Sequence, residues 1–214
     1  MRWALIQKIP APALEGNYKN PAVKEHLRQE GGLRCVYCAV NENKLGGVRM
    51  FHVEHYKPKS LPEFMALEHK LSNLFYVCPI CNSFKSNTWP AEPSATFDNA
   101  SYPDPSSTDY STIFEVRVNG EVAGLNTSST YMVTQLYFNR PQLILERRQF
   151  ALDEELTQLK TAQGAITNAL QTDSDAQARL YVSRFLDLNQ RLVDQFLELQ
   201  NAPLYEPNDV RRQR

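Results

Sequence analysis

Two Cys-x-x-Cys pairs constrain this chain more than any other feature: Cys35 with Cys38 in RCVYC, and Cys78 with Cys81 in CPIC. They stand 39 residues apart and leave no cysteine over. Cytosolic thiols stay reduced, so cysteines paired at this spacing are expected to hold a metal rather than to form disulfides. Four thiolates suit a closed tetrahedral zinc site, which pins two distant turns together and performs no chemistry itself. Four unrelated buried cysteines are the inert alternative.

That reading presumes a reducing compartment. The sequence has no apolar run of ~18 residues and no signal-peptide pattern at its N-terminus, so a soluble, cytoplasmic protein without membrane contact is expected. With 214 residues, 42% of them apolar, the chain has material for one domain or two small ones. Charge divides it. Residues 1–90 carry 12 basic against 7 acidic side chains, and residues 91–214 carry 11 against 17. The basic half is the one suited to a polyanion, although an ordinary solvated surface also accommodates this surplus.

Local signals place the cysteines. Asn20 as N-cap, Pro21 at the first helical position and the Gly31-Gly32 stop predict a helix. RCVYC then forms a tight turn, GVRMFHVEHY (47–56) a strand, LPEFMALEHKL (61–71) a short helix, NLFYV a strand, and CPICNSFKSN a turn entering a helix. Residues 86–112, rich in Ser, Asn, Asp, Thr and Pro, read as a linker or an irregular covering segment. IFEVRVNGEVAGL predicts a hairpin turning at Asn119-Gly120. Beyond it, Leu145, Leu152, Leu156, Leu159, Ile166 and Leu170 form one helical stripe, and Tyr181, Phe185, Leu188, Leu192, Phe196 and Leu199 a second. A break at QTDSD (171–175) implies an antiparallel helical hairpin packed on itself, on the preceding half or on a partner.

Chemistry is expected between the two cysteine turns. In HVEHYKPKS (52–60), Glu54 offers a hard oxygen to Mg²⁺ or a similar cation and His55 a nitrogen base titrating near neutrality. Neighbours on a strand face opposite ways, so both serve one site only if the strand bends there; Lys57-Pro58 makes the bend plausible. Asn82, directly after the second pair, opens a helix and presents a neutral oxygen to the same cation. That set suits phosphodiester hydrolysis, with the metal stabilising the pentacovalent phosphate while the histidine deprotonates water.

C-x-x-C, E-H-x-x-P-K, N-L and C-x-x-C-N-x-x-K, in this order over residues 35 to about 88, resemble the HNH, or ββα-metal, endonucleases with a four-cysteine zinc site. The resemblance implies His55 as general base, Glu54, where the family more often has Asp, as metal-binding acid, Asn73 as the residue tying the loop through backbone hydrogen bonds, and Asn82 in the place of the final His or Asn. It implies structural Zn²⁺, catalytic Mg²⁺ or Mn²⁺, and DNA as substrate. The short N-terminal region, EHYKPKS, the hairpin and LYFNRPQLILERR are most similar to the PtuB-type HNH effectors of Septu and retron-associated anti-phage systems, which implies a PtuA-type ATPase partner. The expected class is α+β: 1–34, an N-terminal segment and helix; 35–90, the zinc-stapled ββα-metal module; 91–127, linker and β-hairpin; 128–214, a C-terminal helical region ending in the hairpin of helices.

Other residues carry two readings. Lys57, Lys59 and Lys85 flank the expected site and either neutralise phosphates or are solvated. His52 shares a strand face with Glu54, where it assists the metal or phosphate or is simply a hydrogen-bonded strand histidine. His26 and His69 are expected on helix surfaces away from the motif. Trp3 and Trp89 either stack on bases or close a small core. A non-catalytic zinc-stabilised adaptor accounts for the cysteines but leaves Glu54-His55 and Cys81-Asn82 as coincidences.

Overall fold

A computed structural model describes residues 3–171 and 175–201. The chain divides into two units, Met1–Leu143 and Ile144–Arg214. Among the described residues, mixed helices and two small antiparallel sheets make it an α+β protein.

In the first unit, α1 (Pro21–Glu30) starts where the Asn20 side chain accepts from the Ala22 N–H and stops at Gly31. It packs on a two-stranded sheet of β1 (His52–His55) and β2 (Leu74–Val77), in which Glu54 stands opposite Phe75 and His55 opposite Leu74. α2 (Pro79–Lys85) follows directly, with Pro79 in its first turn. β1 is shorter than the strand expected over 47–56, because Gly46 and Gly47 both adopt left-handed backbone (φ 83° and 76°) and Met50 N–H closes a turn on Gly47 O. The helix expected over 61–71 is also absent. Pro62–Leu67 and Leu71–Asn73 are 3₁₀ turns, and the first buries no residue, so no packed apolar face holds it helical.

Residues 86–112 cover the sheet rather than link two bodies. Their Tyr102 and Tyr110 are fully buried, Tyr102 against Tyr131 and Tyr110 against Phe114, and Tyr56 Oη donates to Tyr102 O at 2.5 Å. The hairpin of β3 (Phe114–Val116) and β4 (Val122–Gly124) turns through Arg117–Glu121, with Gly120 left-handed at φ 86°. Gly124 lies so close to the next helix, α3 (Thr127–Gln135), that an added Cβ would sit 2.2 Å from Thr130 N. Trp3 closes the core: buried against Phe114 and Phe138, its indole N–H donates to Tyr37 O at 2.7 Å. Trp89 packs edge-on against Tyr56 and Phe64.

The long helices are α4 (Pro141–Gln171) and α5 (Asp175–Asn201). Gln195 donates to Glu155 across them, and Leu152, Ala162 and Leu188 are buried. Two expected stripe members face outward, since Leu156 and Phe196 are exposed; Ala162, too small to mark a stripe in the sequence, takes a buried place instead. The side chains of Leu170 and Leu199, residues 172–174 of the QTDSD break and residues 202–214 lie outside the described residues. Among the described residues no helix is long and apolar enough to cross a membrane.

Candidate functional site

The four cysteines converge. Cys35, Cys38, Cys78 and Cys81 are all buried, and their sulfurs lie within 4.8 Å of one another. Cys38 and Cys78 Sγ are 3.8 Å apart, which matches the ~3.8 Å edge of a tetrahedron with metal–sulfur bonds of about 2.3 Å. The first turn is closed by Ala39 N–H on Cys35 O, with Ala39 left-handed at φ 59°; in the second, Cys78 caps α2 by accepting the Cys81 N–H on its sulfur at 3.3 Å. Burial raises the Cys35 and Cys81 thiols. In Cys38 the same burial is outweighed by hydrogen bonds from the other three cysteines and by the charge of Arg140, so its thiol is driven well down. Four soft donors in a dry pocket suit zinc.

Glu54 and His55 are both buried at the end of β1. His55 Nε2 lies 2.9 Å from Glu68 O, so donation of Nε2–H to that carbonyl leaves Nδ1 with its lone pair. Burial chiefly, aided by the Lys59 and Lys85 charges, holds the imidazole below the usual histidine range, against the opposing pull of Glu68. The ring is therefore neutral at pH 7. Tyr18 packs edge-on against it at 4.7 Å between centroids and stacks on His69 at 5.6 Å. Burial likewise pushes the Glu54 carboxyl up and the Lys85 ammonium down, and their 2.7 Å contact opposes both shifts without cancelling either.

Asn73, buried, accepts the Lys57 N–H on Oδ1 at 2.9 Å and donates from Nδ2 to Lys57 O and Leu67 O. Its own carbonyl accepts the Tyr56 N–H, so this one residue fastens both ends of the 56–67 loop beside His55. Asn82 is half-buried in α2, with its N–H on Cys78 O.

The lysines differ from one another. Lys57 pairs with Glu92 at 2.7 Å and lies over Phe64 and Trp89; Lys59 pairs with Glu68 at 2.8 Å and with the Tyr18 hydroxyl. Lys85, expected from the sequence either at the phosphates or in solvent, has no exposed surface and directs its charge at Glu54. An amphipathic Lys near a helix end gives no sequence sign of this inward turn. His52 is exposed, and burial and Lys24 hold it low. His26 bonds Ile9 O and Glu30 away from the motif, but His69 belongs to the Tyr18 stack beside His55. Sequence reasoning missed Tyr18, Glu68 and Arg140; the first lies in an irregular segment, the second acts through a carbonyl every residue has, and the third is far along the chain.

Residues 35–88 match the family model for the HNH endonuclease. The match supports a nuclease domain of that class within this chain. Neither the curated proteins nor the solved structures give a match.

Proposed function

We propose that the chain hydrolyses phosphodiester bonds of DNA as a metal-dependent HNH endonuclease. The observation that carries this reading is His55, neutral, anchored through Nε2 and next to a buried carboxylate. In the reaction, His55 Nδ1 takes a proton from water, the resulting hydroxide attacks phosphorus, and the P–O ester bond breaks as its oxygen leaves. Glu68 O holds the ring through proton uptake, and Asn73 holds the loop that carries Lys57. Glu54 and Asn82 would hold Mg²⁺ or Mn²⁺, whose role when bound is to stabilise charge developing on the phosphate and the leaving oxygen. Zn²⁺ in the four-cysteine cluster is structural.

The Lys85 ion pair favours a second reading, a zinc-stabilised adaptor, because it already satisfies Glu54 without a metal. Plasmid cleavage separates the two. Wild-type protein with Mg²⁺ or Mn²⁺ cuts DNA and His55→Ala with zinc retained does not; equal cleavage by both removes His55 as the base.

The biological setting we assign is bacterial anti-phage defence, as a PtuB-type effector working with a PtuA-type ATPase. It is supported by the likeness of EHYKPKS and LYFNRPQLILERR to that family. Phage plaque counts with and without His55→Ala, in cells carrying the chain and its ATPase, test it.

A further inference from the structure

Arg140 lies outside the matched segment, in the connection between α3 and α4, and is 5% exposed. Its Nη2 stands 3.4 Å from Cys38 Sγ and 3.8 Å from the sulfurs of both Cys78 and Cys81, while Nη1 is 3.9 Å from Cys81 Sγ. Nη1 also donates to Leu136 O, at the C-cap of α3, and to Tyr137 O just beyond it. One guanidinium therefore spans three cysteines and a helix terminus.

Four thiolates around a divalent ion carry two uncompensated negative charges, and a dry pocket makes them costly. A planar fork of N–H donors meets that need better than an ammonium, since it addresses several sulfurs at once. We propose that Arg140 belongs to the metal site: it neutralises the four-thiolate cluster by N–H···S hydrogen bonds and so fastens the α3–α4 connection to the zinc. The inference rests on zinc occupying the four cysteines and is independent of the nuclease reading. A guanidinium keeps its proton even in a buried site, so Arg140 brings a full positive charge to the sulfurs. The module over 35–88 thus takes part of its metal site from a residue beyond it.

The test uses the full chain as wild type, Arg140→Lys and Arg140→Leu, with zinc measured by mass spectrometry, its transfer to a chromophoric chelator timed, and the Co²⁺-substituted spectrum recorded. Zinc affinity is expected to fall roughly 10–100-fold in Arg140→Leu, the usual effect of removing a residue that supports metal ligands, and less in Arg140→Lys, with transfer to the chelator quickening in the same order. The thiolate-to-cobalt band should move to lower energy, because sulfur lone pairs that lose N–H donors rise. If Arg140→Leu does not fold by circular dichroism, Arg140→Lys decides. Loss of stability with an unmoved band in the folded variant would mean that Arg140 merely caps α3, and overturns the proposal. Wild-type protein without zinc overturns its premise, visibly, before any variant is compared.

Discussion

Lys85 Nζ lies 2.7 Å from Glu54 Oε1 and 3.0 Å from His55 O, so one buried ammonium ties together both residues of the Glu-His pair. The last residue of α2 thereby sets the end of β1. A structural ion pair and a metal-binding carboxylate are compatible only if the lysine orients one carboxylate oxygen and leaves the other to the cation.

Removing one partner strands the other as a buried charge. Lys85→Met should cost about 3–5 kcal/mol, read by urea denaturation, whereas Glu54→Gln with Lys85→Met recovers most of the loss. A single variant within ~0.5 kcal/mol of wild type, the range of ordinary surface changes, would show that the pair does not hold β1 to α2.

Cleavage should depend on pH through His55. In the proposed reaction its neutral form is the base, and burial keeps its pKa below the ordinary 6.5, so activity should hold from neutrality into mild acid and fall as pH drops through the lowered value. Stability has the same sign: the folded state prefers the neutral ring, and its advantage is lost as pH falls from 6.5 through the folded pKa. Lys59→Gln removes a positive charge beside the ring and should move the acid limb upward. A downward shift in the cleavage profile would contradict this placement of Lys59.

Asn73→Ala deletes the amide that holds the Lys57 N–H and O. Leaving those half-buried backbone groups unpaired should cost about 1–3 kcal/mol at most, measured by denaturation. Cleavage should fall by more than the folded fraction does, because the loop that positions His55 loosens before the fold opens. Activity that tracks the folded fraction would make Asn73 structural only.

The parts of this protein that were legible in its sequence share one property: their cause is local. Asn20 and Pro21 start α1, Asn119-Gly120 turns the hairpin, and the two Cys-x-x-Cys pairs stand at a turn and at a helix start. What escaped is decided by contacts distant in sequence. Nothing near Lys85 says that it folds inward onto Glu54, 31 residues earlier, and nothing near Arg140 announces cysteines 59 to 102 residues away. Strand β1 was overestimated because Met50 and Val48 suit a strand, while Gly46-Gly47 turn the backbone before the pairing with β2 begins. Tyr18 had no periodic neighbour to mark it, yet Leu71 N–H on Glu15 and Gly16 N–H on His69 O seat its segment against the His55 loop.

Zinc removal can be followed from inside the molecule. The Trp3 indole donates to Tyr37 O, the middle of the first cysteine turn, and is buried there, so its emission reports whether that turn is intact. In a Trp89→Phe background, stripping zinc with a strong chelator should shift Trp3 emission to the red and lower the unfolding midpoint, because binding energy of a structural zinc is folding energy. Cys78→Ser should reproduce both changes without chelator, since it removes one of the four candidate ligands and weakens the α2 cap together. Mg²⁺ must not restore the signal and Zn²⁺ must, as soft thiolates select between them. Unchanged Trp3 emission after complete zinc loss would mean that the first turn is held by the aromatic core and not by the metal.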